Sequence, residues 1–275
     1  MSDSETKQSP YRVQVLDRAL AIIDALAGDG PDASLMELSS RLQLHKSTVH
    51  RLLMILERHR VVERQPQTGR YQLGLRLFEL GSVAIARFDI RDRARLHLQR
   101  LVTEVDETVH LCALDSGEVL YLDKIEPSRS VRMSSRIGRR IGVHCSGVGK
   151  AMLAQLPERE VDQILEQRGM ARQTSQTIVT MAELKADLKT TLERGYAIDN
   201  EEAEEGLRCV AAAVLGRNGR PLGAISTSAP SFRLPLDQVP VVAEAVCAAA
   251  RALSEESGYR GGPPSGTRME SQPVS

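Results

Sequence analysis

Two stretches of the chain concentrate residues that could do chemistry. The first runs from Arg41 to Arg76. It carries Arg41, Lys46, Arg51, Arg58, Arg60, Arg64, Arg70 and Arg76 against only Glu57 and Glu63. Cations at that density neutralise phosphates and release counterions, the main source of affinity for DNA. Within it Lys46, Ser47, Thr48, His50 and Arg51 are placed to meet a duplex. Arg grips guanine with two hydrogen bonds, and hydroxyls suit bases or phosphates, although Thr48 could serve the backbone instead. The second stretch, Arg129 to Lys150, holds six basic residues and no acidic one, and ends in Ser146-Gly-Val-Gly-Lys150. Glycines let backbone amides approach a ligand, and a helix start favours anions. A phosphate-binding P-loop is excluded, because the glycine it needs five positions before the Gly-Lys pair is His144 here.

These residues must be positioned by regular elements. Apolar residues at Val13, Leu16, Ala19, Leu20, Ile23 and Leu26 predict a helix that ends at Gly28, Gly30 and Pro31. Ser34-Leu-Met-Glu37 is a capping box that opens a short helix running to Leu42. A third helix over 46–59 has Val49, Leu52, Leu53 and Leu56 on one side, which leaves Lys46, Ser47, His50 and Arg51 mostly on the other. Val61–Arg64 and Tyr71–Leu73 then flank a Gly69 turn, with Arg64 and Arg70 beside the hairpin tip. Two helices across a short turn followed by a hairpin predict a winged helix-turn-helix. The same pattern also fits an amphipathic helical pair with a solvated charged face.

Residues 74–90 read as a linker helix. Strands are expected at Val109–Leu114, Val119–Ile125, Val131–Ser135, Tyr196–Asp199, Val210–Leu215 and Leu222–Ser228, with Asn218-Gly219 a hairpin turn. Helices follow Gly147, Glu158 and Met181, and an Ala-rich helix closes the domain at Leu236–Ser257. The second domain is therefore mixed α+β. Its acidic run, Asp199, Glu201, Glu202, Glu204 and Glu205, reads as a solvated loop. The expected organisation is a polar tail at 1–10, a DNA-binding domain at 11–73, the linker at 74–90, a second domain at 91–257 and a Gly/Pro-rich tail at 258–275.

Composition narrows the function. The 275 residues hold 36 basic and 36 acidic side chains, so the chain is neither a uniformly basic coat nor an acidic tail protein. Five Tyr, three Phe and no Trp argue against a base-stacking platform for single strands. Cys112, Cys145, Cys209 and Cys247 form no CxxC pair and read as free thiols. No metal or cofactor is expected. Without an apolar leader or an 18-residue apolar run, the expectation is a cytoplasmic protein with no membrane partner. A small-acid-processing enzyme with a helical appendage, working through Cys209 or Asp199, remains the rival to a DNA-binding regulator.

The blocks VLDRALAIIDAL, LHKSTVHRLLMILE, TGRYQLGLRLFELG, HCSGVGKAMLA, GYAIDNEEAEEGLRCVAAAV and LGAISTSAP stand in order between Tyr11 and Ser257. In this the chain resembles the IclR family of bacterial transcriptional regulators. The resemblance implies a winged helix-turn-helix, a linker helix that pairs protomers, and a GAF-like effector-binding domain, in homodimers that can form tetramers on a pseudo-palindromic operator. It implies no enzymatic activity, a repressor of a catabolic operon, and a small organic-acid effector such as a keto sugar acid or an aromatic acid. Carried over residue by residue, it places Gly147 and Val148 at the effector carboxylate, and Asp199, Cys209, Ser226 and Ser228 at its oxygens. Met133 and Ile141 would supply apolar walls.

Overall fold

The computed structural model describes residues 13–28, 30, 32–85, 90–127 and 135–261. The expected tails, apart from residues 258–261, lie outside these residues, as do Met133 and most of the strand expected at Val131–Ser135. The chain divides into two compact units, Met1–Phe88 and Asp89–Ser275.

The first unit opens with α1 (Gln14–Ala27), α2 (Leu35–Leu42) and α3 (Lys46–Arg58). Ser34 and Glu37 form the capping box in both directions: the Ser34 N–H donates to Glu37 Oε2 at 2.7 Å, and Ser34 Oγ accepts from the Glu37 N–H at 3.2 Å. Gln43 closes α2 in the left-handed region, φ 51°, so the chain turns at once into α3. The hairpin β1 (Val62–Arg64) and β2 (Tyr71–Leu73) pairs Val62 with Leu73 and Arg64 with Tyr71. Ile22, Leu26, Leu38, Val49, Leu53, Val62 and Tyr71 close one core beneath these elements. Leu16 and Leu20, expected on the inner side of α1, are 59% and 60% exposed instead. The helix α4 (Leu75–Ile85) likewise leaves Leu75, Phe78, Leu80 and Val83 exposed.

The second unit contains α5 (Ile90–Val105), β3 (Thr108–Asp115), β4 (Glu118–Ile125), β5 (Arg140–Ile141), α6 (Gly147–Leu153), α7 (Glu158–Arg168), α8 (Met181–Arg194), β6 (Ala197–Asn200), β7 (Leu207–Leu215), β8 (Pro221–Pro230) and α9 (Val239–Glu256). Its strands form one sheet in the order β5-β4-β3-β8-β7-β6, every neighbouring pair antiparallel. Successive strand residues point to opposite faces, so each strand feeds two cores. Val109, Leu111, Ala212, Val214 and Ile225 pack with α5 and α9. Cys112, Ala211 and Ala224 face the other way, toward α6 and the helices beyond it. The Asn218-Gly219 turn joins β7 to β8, with Gly219 at φ 73° and Asn218 Oδ1 accepting the Arg220 N–H at 3.1 Å.

Candidate functional site

The helix α3 has two sides. Val49, Leu52 and Leu53 are buried, while Lys46, Ser47, His50 and Arg51 are exposed and Thr48 is half-buried. His45 caps the helix, its Nδ1 lying 2.8 Å from Ser47 Oγ. Lys46, His50 and Arg51 have no ion pair or side-chain hydrogen bond among the described residues. Their charge and donors therefore point to solvent at the N-terminal half of a helix that follows a tight turn, the arrangement a recognition helix needs.

The two arginines of the hairpin part company. Arg64 is exposed, lies over the Tyr71 ring and donates to Gly69 O at 3.3 Å. Arg70, expected at the tip beside a phosphate, instead braces the hairpin to α2. Its Nε meets Asp32 Oδ1 at 2.6 Å and its Nη2 meets Glu37 Oε2 at 2.7 Å. Glu37 thus serves the capping box and this ion pair together, and both hold its carboxyl below the usual range.

In the second unit a cavity of about 60 Å³ opens between the sheet and the start of α6. Gly147, Val148, Asp199, Cys209, Ser226, Ser228 and Ile141 all line it. Register explains the convergence. Across the sheet Asp199 stands opposite Cys209, Cys209 opposite Ser228, and Ala211 opposite Ser226, so their side chains share one face. The start of α6 sits directly over this row: a Cβ on Gly147 would lie 3.4 Å from Ala211 Cβ and 3.6 Å from Cys209 Cβ. At Gly149 a Cβ would come within 2.3 Å of Val143 O, so only glycine lets α6 begin here. Ser146 caps the helix by accepting the Gly149 N–H at 3.3 Å. The free first-turn amides at this helix start favour an anion such as a carboxylate.

Lys150 does not join the anion site. It is 1% exposed, and its Nζ meets Glu202 Oε1 at 2.5 Å and Asp187 Oδ2 at 3.1 Å. The acidic run is accordingly no solvated loop throughout: Asp199 and Glu202 are buried. Asp199 Oδ1 accepts the N–H groups of Glu202 at 2.8 Å and Ala203 at 3.3 Å. From outside, Thr174 and Thr177 hydroxyls donate to Glu201 O and Glu202 O at 2.6 and 2.7 Å. Lys150 therefore ties the two walls of the pocket together, α6 on one side and the β6–β7 loop with Ala203 and Glu204 on the other. Burial pushes the Asp199 carboxyl up to about 7, against the pull of the Glu202 N–H.

The thiols are set for packing rather than attack. All four cysteines are free. Burial raises Cys209 well above its ordinary value and Cys145 to about 12. Ser228 Oγ donates to Cys209 Sγ at 2.9 Å. A protonated thiol is a poor nucleophile. A larger cleft of about 580 Å³ lies between α9 and β7, floored by Ala212, Ala213 and Ala243, and holds none of the expected site residues.

Comparison with known proteins bears on both regions. Residues 15–66 match the IclR helix-turn-helix domain, and residues 82–255 match the C-terminal domain of bacterial transcriptional regulator IclR. The chain belongs to the IclR family. It is 35% identical to the HTH-type transcriptional regulator XynR of Escherichia coli over 247 residues, which cover 90% of this chain and 98% of XynR. It is similar to the crystal structure of the Thermotoga maritima IclR, with a TM-score of 0.76 and 31% identity, over 90% of this chain and all of that one. An IclR homologue from Microbacterium hydrocarbonoxydans, solved with 4-hydroxybenzoate, shares the fold at a TM-score of 0.76 and 24% identity, over 88% of this chain and 98% of its own. This is a DNA-binding transcriptional regulator, not an enzyme. No helix among the described residues is long and apolar enough to cross a membrane.

Seven residues of the lining lie outside the expected effector set: Tyr121, Ser135, Arg139, Ser146, Ala203, Glu204 and Leu207. Ser146 carried a signal, since a serine before a Gly-rich helix start is a cap. Tyr121 carried none, because its face is set by a β-bulge.

Proposed function

We propose that the chain is a repressor of a catabolic operon, released from DNA by a small organic acid. The observation that carries this reading is the pocket, where unpaired helix-start amides at Gly147 and Val148 face a row of oxygen-binding side chains at Asp199, Ser226 and Ser228. The carboxylate docks on the amides, and hydroxyl or keto oxygens meet the row. The complex with 4-hydroxybenzoate supports an acid ligand on this fold. Relatives named as repressors in Escherichia coli and Salmonella typhimurium, 34% and 33% identical, support the sign.

DNA is contacted by Lys46, Ser47, Thr48, His50 and Arg51 in the major groove and by Arg64 from the wing. The operator is a pseudo-palindrome read by a homodimer in the cytoplasm. The exposed Leu16 and Leu20 of α1 and the exposed Leu75, Phe78 and Val83 of α4 support self-association through the first unit, since apolar surface of that size marks an interface. Acid binding favours one arrangement of the paired effector units, and DNA affinity falls by the difference in affinity between the two states.

The test is fluorescence anisotropy of the full chain on its own promoter duplex, titrated with keto sugar acids, short keto acids and aromatic acids. Release by one of these classes is the expected result. Salt-insensitive binding, or none, overturns the DNA reading. Binding that no acid alters overturns the effector reading.

A further inference from the structure

The cleft of about 580 Å³ between α9 and β7 lies apart from the effector pocket and holds its own unanswered groups. The first are backbone groups. β6 covers β7 only from Arg208 to Ala211, where Ala211 meets Ala197. It reaches no further, because the chain before it turns at Gly195, φ 85°, out of α8. β7 runs on to Leu215, so its last residues form an open edge. Alternate residues of a strand turn their N–H and C=O to the same edge. Leu207 faces this one, since its carbonyl accepts the Glu201 N–H at 3.0 Å. Leu215 faces it too, since its N–H donates to Ser254 Oγ at 2.9 Å. Counting by twos from either places Ala213 on the same edge. Ala213 lines the cleft, and its N–H and C=O have no partner among the described residues.

The second set is charged. Glu244 and Arg251 line the cleft from α9, and neither has a hydrogen bond or ion pair among the described residues. They stand seven residues apart, on one stripe of the helix and about 10 Å apart along its axis. The helix runs in the same direction as β7, since Ala243 packs in one cluster with Val210 while Ser254 meets Leu215. Glu244 therefore lies toward the start of the open edge and Arg251 toward its end.

One kind of ligand answers both sets. A strand laid parallel to β7 offers Ala213 a carbonyl from one residue and an N–H from the residue two further on. Its amino end then lies at Glu244 and its carboxylate at Arg251. Three residues are the fewest that supply both hydrogen bonds. Extended, three residues span about 10 Å, the spacing of the two charges. The alanines that floor the cleft leave room for a backbone and for small side chains.

We propose that this cleft is a second ligand site, which binds a free tripeptide with small side chains, its ammonium on Glu244, its backbone on Ala213 and its carboxylate on Arg251.

The experiment is calorimetric titration of the full chain with trialanine, N-acetyl-trialanine, trialanine amide and dialanine. Trialanine is expected to bind, and each of the other three about tenfold more weakly or worse, since each loses a hydrogen bond or an ion pair. Arg251→Gln, checked for an unchanged circular dichroism spectrum, lowers trialanine to the affinity of its amide and leaves the amide as it was. Glu244→Gln does the same for the acetylated peptide. Ser226→Ala combined with Ser228→Ala leaves trialanine binding unchanged. Loss of binding in that double variant would place the peptide in the effector pocket and overturn the cleft as its site. The proposal also falls if trialanine does not bind, if capped and free peptides bind alike, or if the discrimination survives both α9 variants. Dialanine binding as tightly as trialanine overturns the pairing at Ala213 and with it the tripeptide.

Discussion

Lys46 opens α3 and Lys150 stands in the last turn of α6, each in a segment rich in basic residues, and the protein uses them in opposite ways. Lys46 is exposed and faces solvent. Lys150 is buried, paired with Glu202 and Asp187, and does not line the pocket. The same division runs through both units. The charges of α3 are held available for an outside partner, whereas that of Lys150 on α6 is neutralised inside the protein and sets its shape. Local charge density alone does not separate these uses. What separates them is whether the topology delivers counter-charges from distant parts of the chain.

The largest expected effect breaks the interior arrangement. Lys150→Met leaves Glu202 buried, and Asp187 half-buried, without a counter-ion, and removal of one partner of a buried pair costs about 3–5 kcal/mol. Thermal unfolding followed by circular dichroism should show the transition of the Asp89–Ser275 unit strongly lowered. Replacing Glu202 with Gln in the same chain should recover part of the loss. A midpoint unchanged in Lys150→Met would mean that the ion pair does not hold the pocket walls.

The matching change on the exterior should leave stability alone. Arg51→Ala removes no intramolecular contact among the described residues, so its thermal midpoint should equal that of the parent chain. Loss of a side chain that contacts a base costs about 1–3 kcal/mol of specific binding, about tenfold to a hundredfold. Electrophoretic mobility shifts on the operator, beside a scrambled duplex, would measure this. Full operator affinity in the variant would remove Arg51 from the interface. Within the pocket, Ser226→Ala combined with Ser228→Ala should weaken effector binding by about tenfold, two net hydrogen bonds at the lower end of their range. Operator affinity without effector should not change.

Much of this division could be read before any coordinates. The capping box at Ser34 and Glu37, the apolar stripe of α3, the Asn218-Gly219 turn and the shared face of Ser226 and Ser228 are local patterns, and the fold keeps each of them. The departures all involve partners remote in sequence. Arg70 looks free beside its turn, because Asp32 and Glu37 reach it only once the hairpin packs on α2. Lys150 looks like part of an anion loop, because Glu202 arrives from a strand end 52 residues away. Leu16 and Leu20 fit a helical stripe, but the core of the first unit reaches only as far as Ile22 and Leu26 on that helix. Tyr121 and His110 meet through a register shift that no periodicity announces. The two-residue strand β5 is too short to leave a pattern at all.

The pH dependence sharpens the interior half of the comparison. Asp199 is buried, with its ordinary value of 3.8 raised to about 7, first by burial and then by Glu202. A raised carboxyl keeps its proton longer in the folded state, so its contribution to stability is present below pH 4 and lost as the pH rises through 7. Effector binding follows the same sign. Below about 7 a neutral Asp199 does not repel an incoming carboxylate, and above it the ionised group does. Affinity for a monocarboxylate should therefore fall above neutral pH, by at most about tenfold per pH unit. Titration between pH 6 and 8 on the parent chain and on Asp199→Asn would test this, with the variant expected to be flat. A parent chain as flat as the variant would place the effector carboxylate away from Asp199.

The smallest effect tests the exterior most directly, through salt. Each phosphate neutralised by a cation contributes about 0.9 to the slope of log affinity against log salt concentration. Lys46→Ala should lower the slope by about that amount, because its ammonium faces solvent and has no internal partner among the described residues. Arg70→Ala should leave the slope unchanged, because its guanidinium is already engaged by Asp32 and Glu37. Its effect should appear as a looser hairpin, read by faster amide exchange at Tyr71, whose N–H bonds to Ala33 O. Equal slope changes for the two variants would mean that the Arg70 ion pairs open on DNA, and that the interior and exterior roles of basic residues are exchanged when the operator binds.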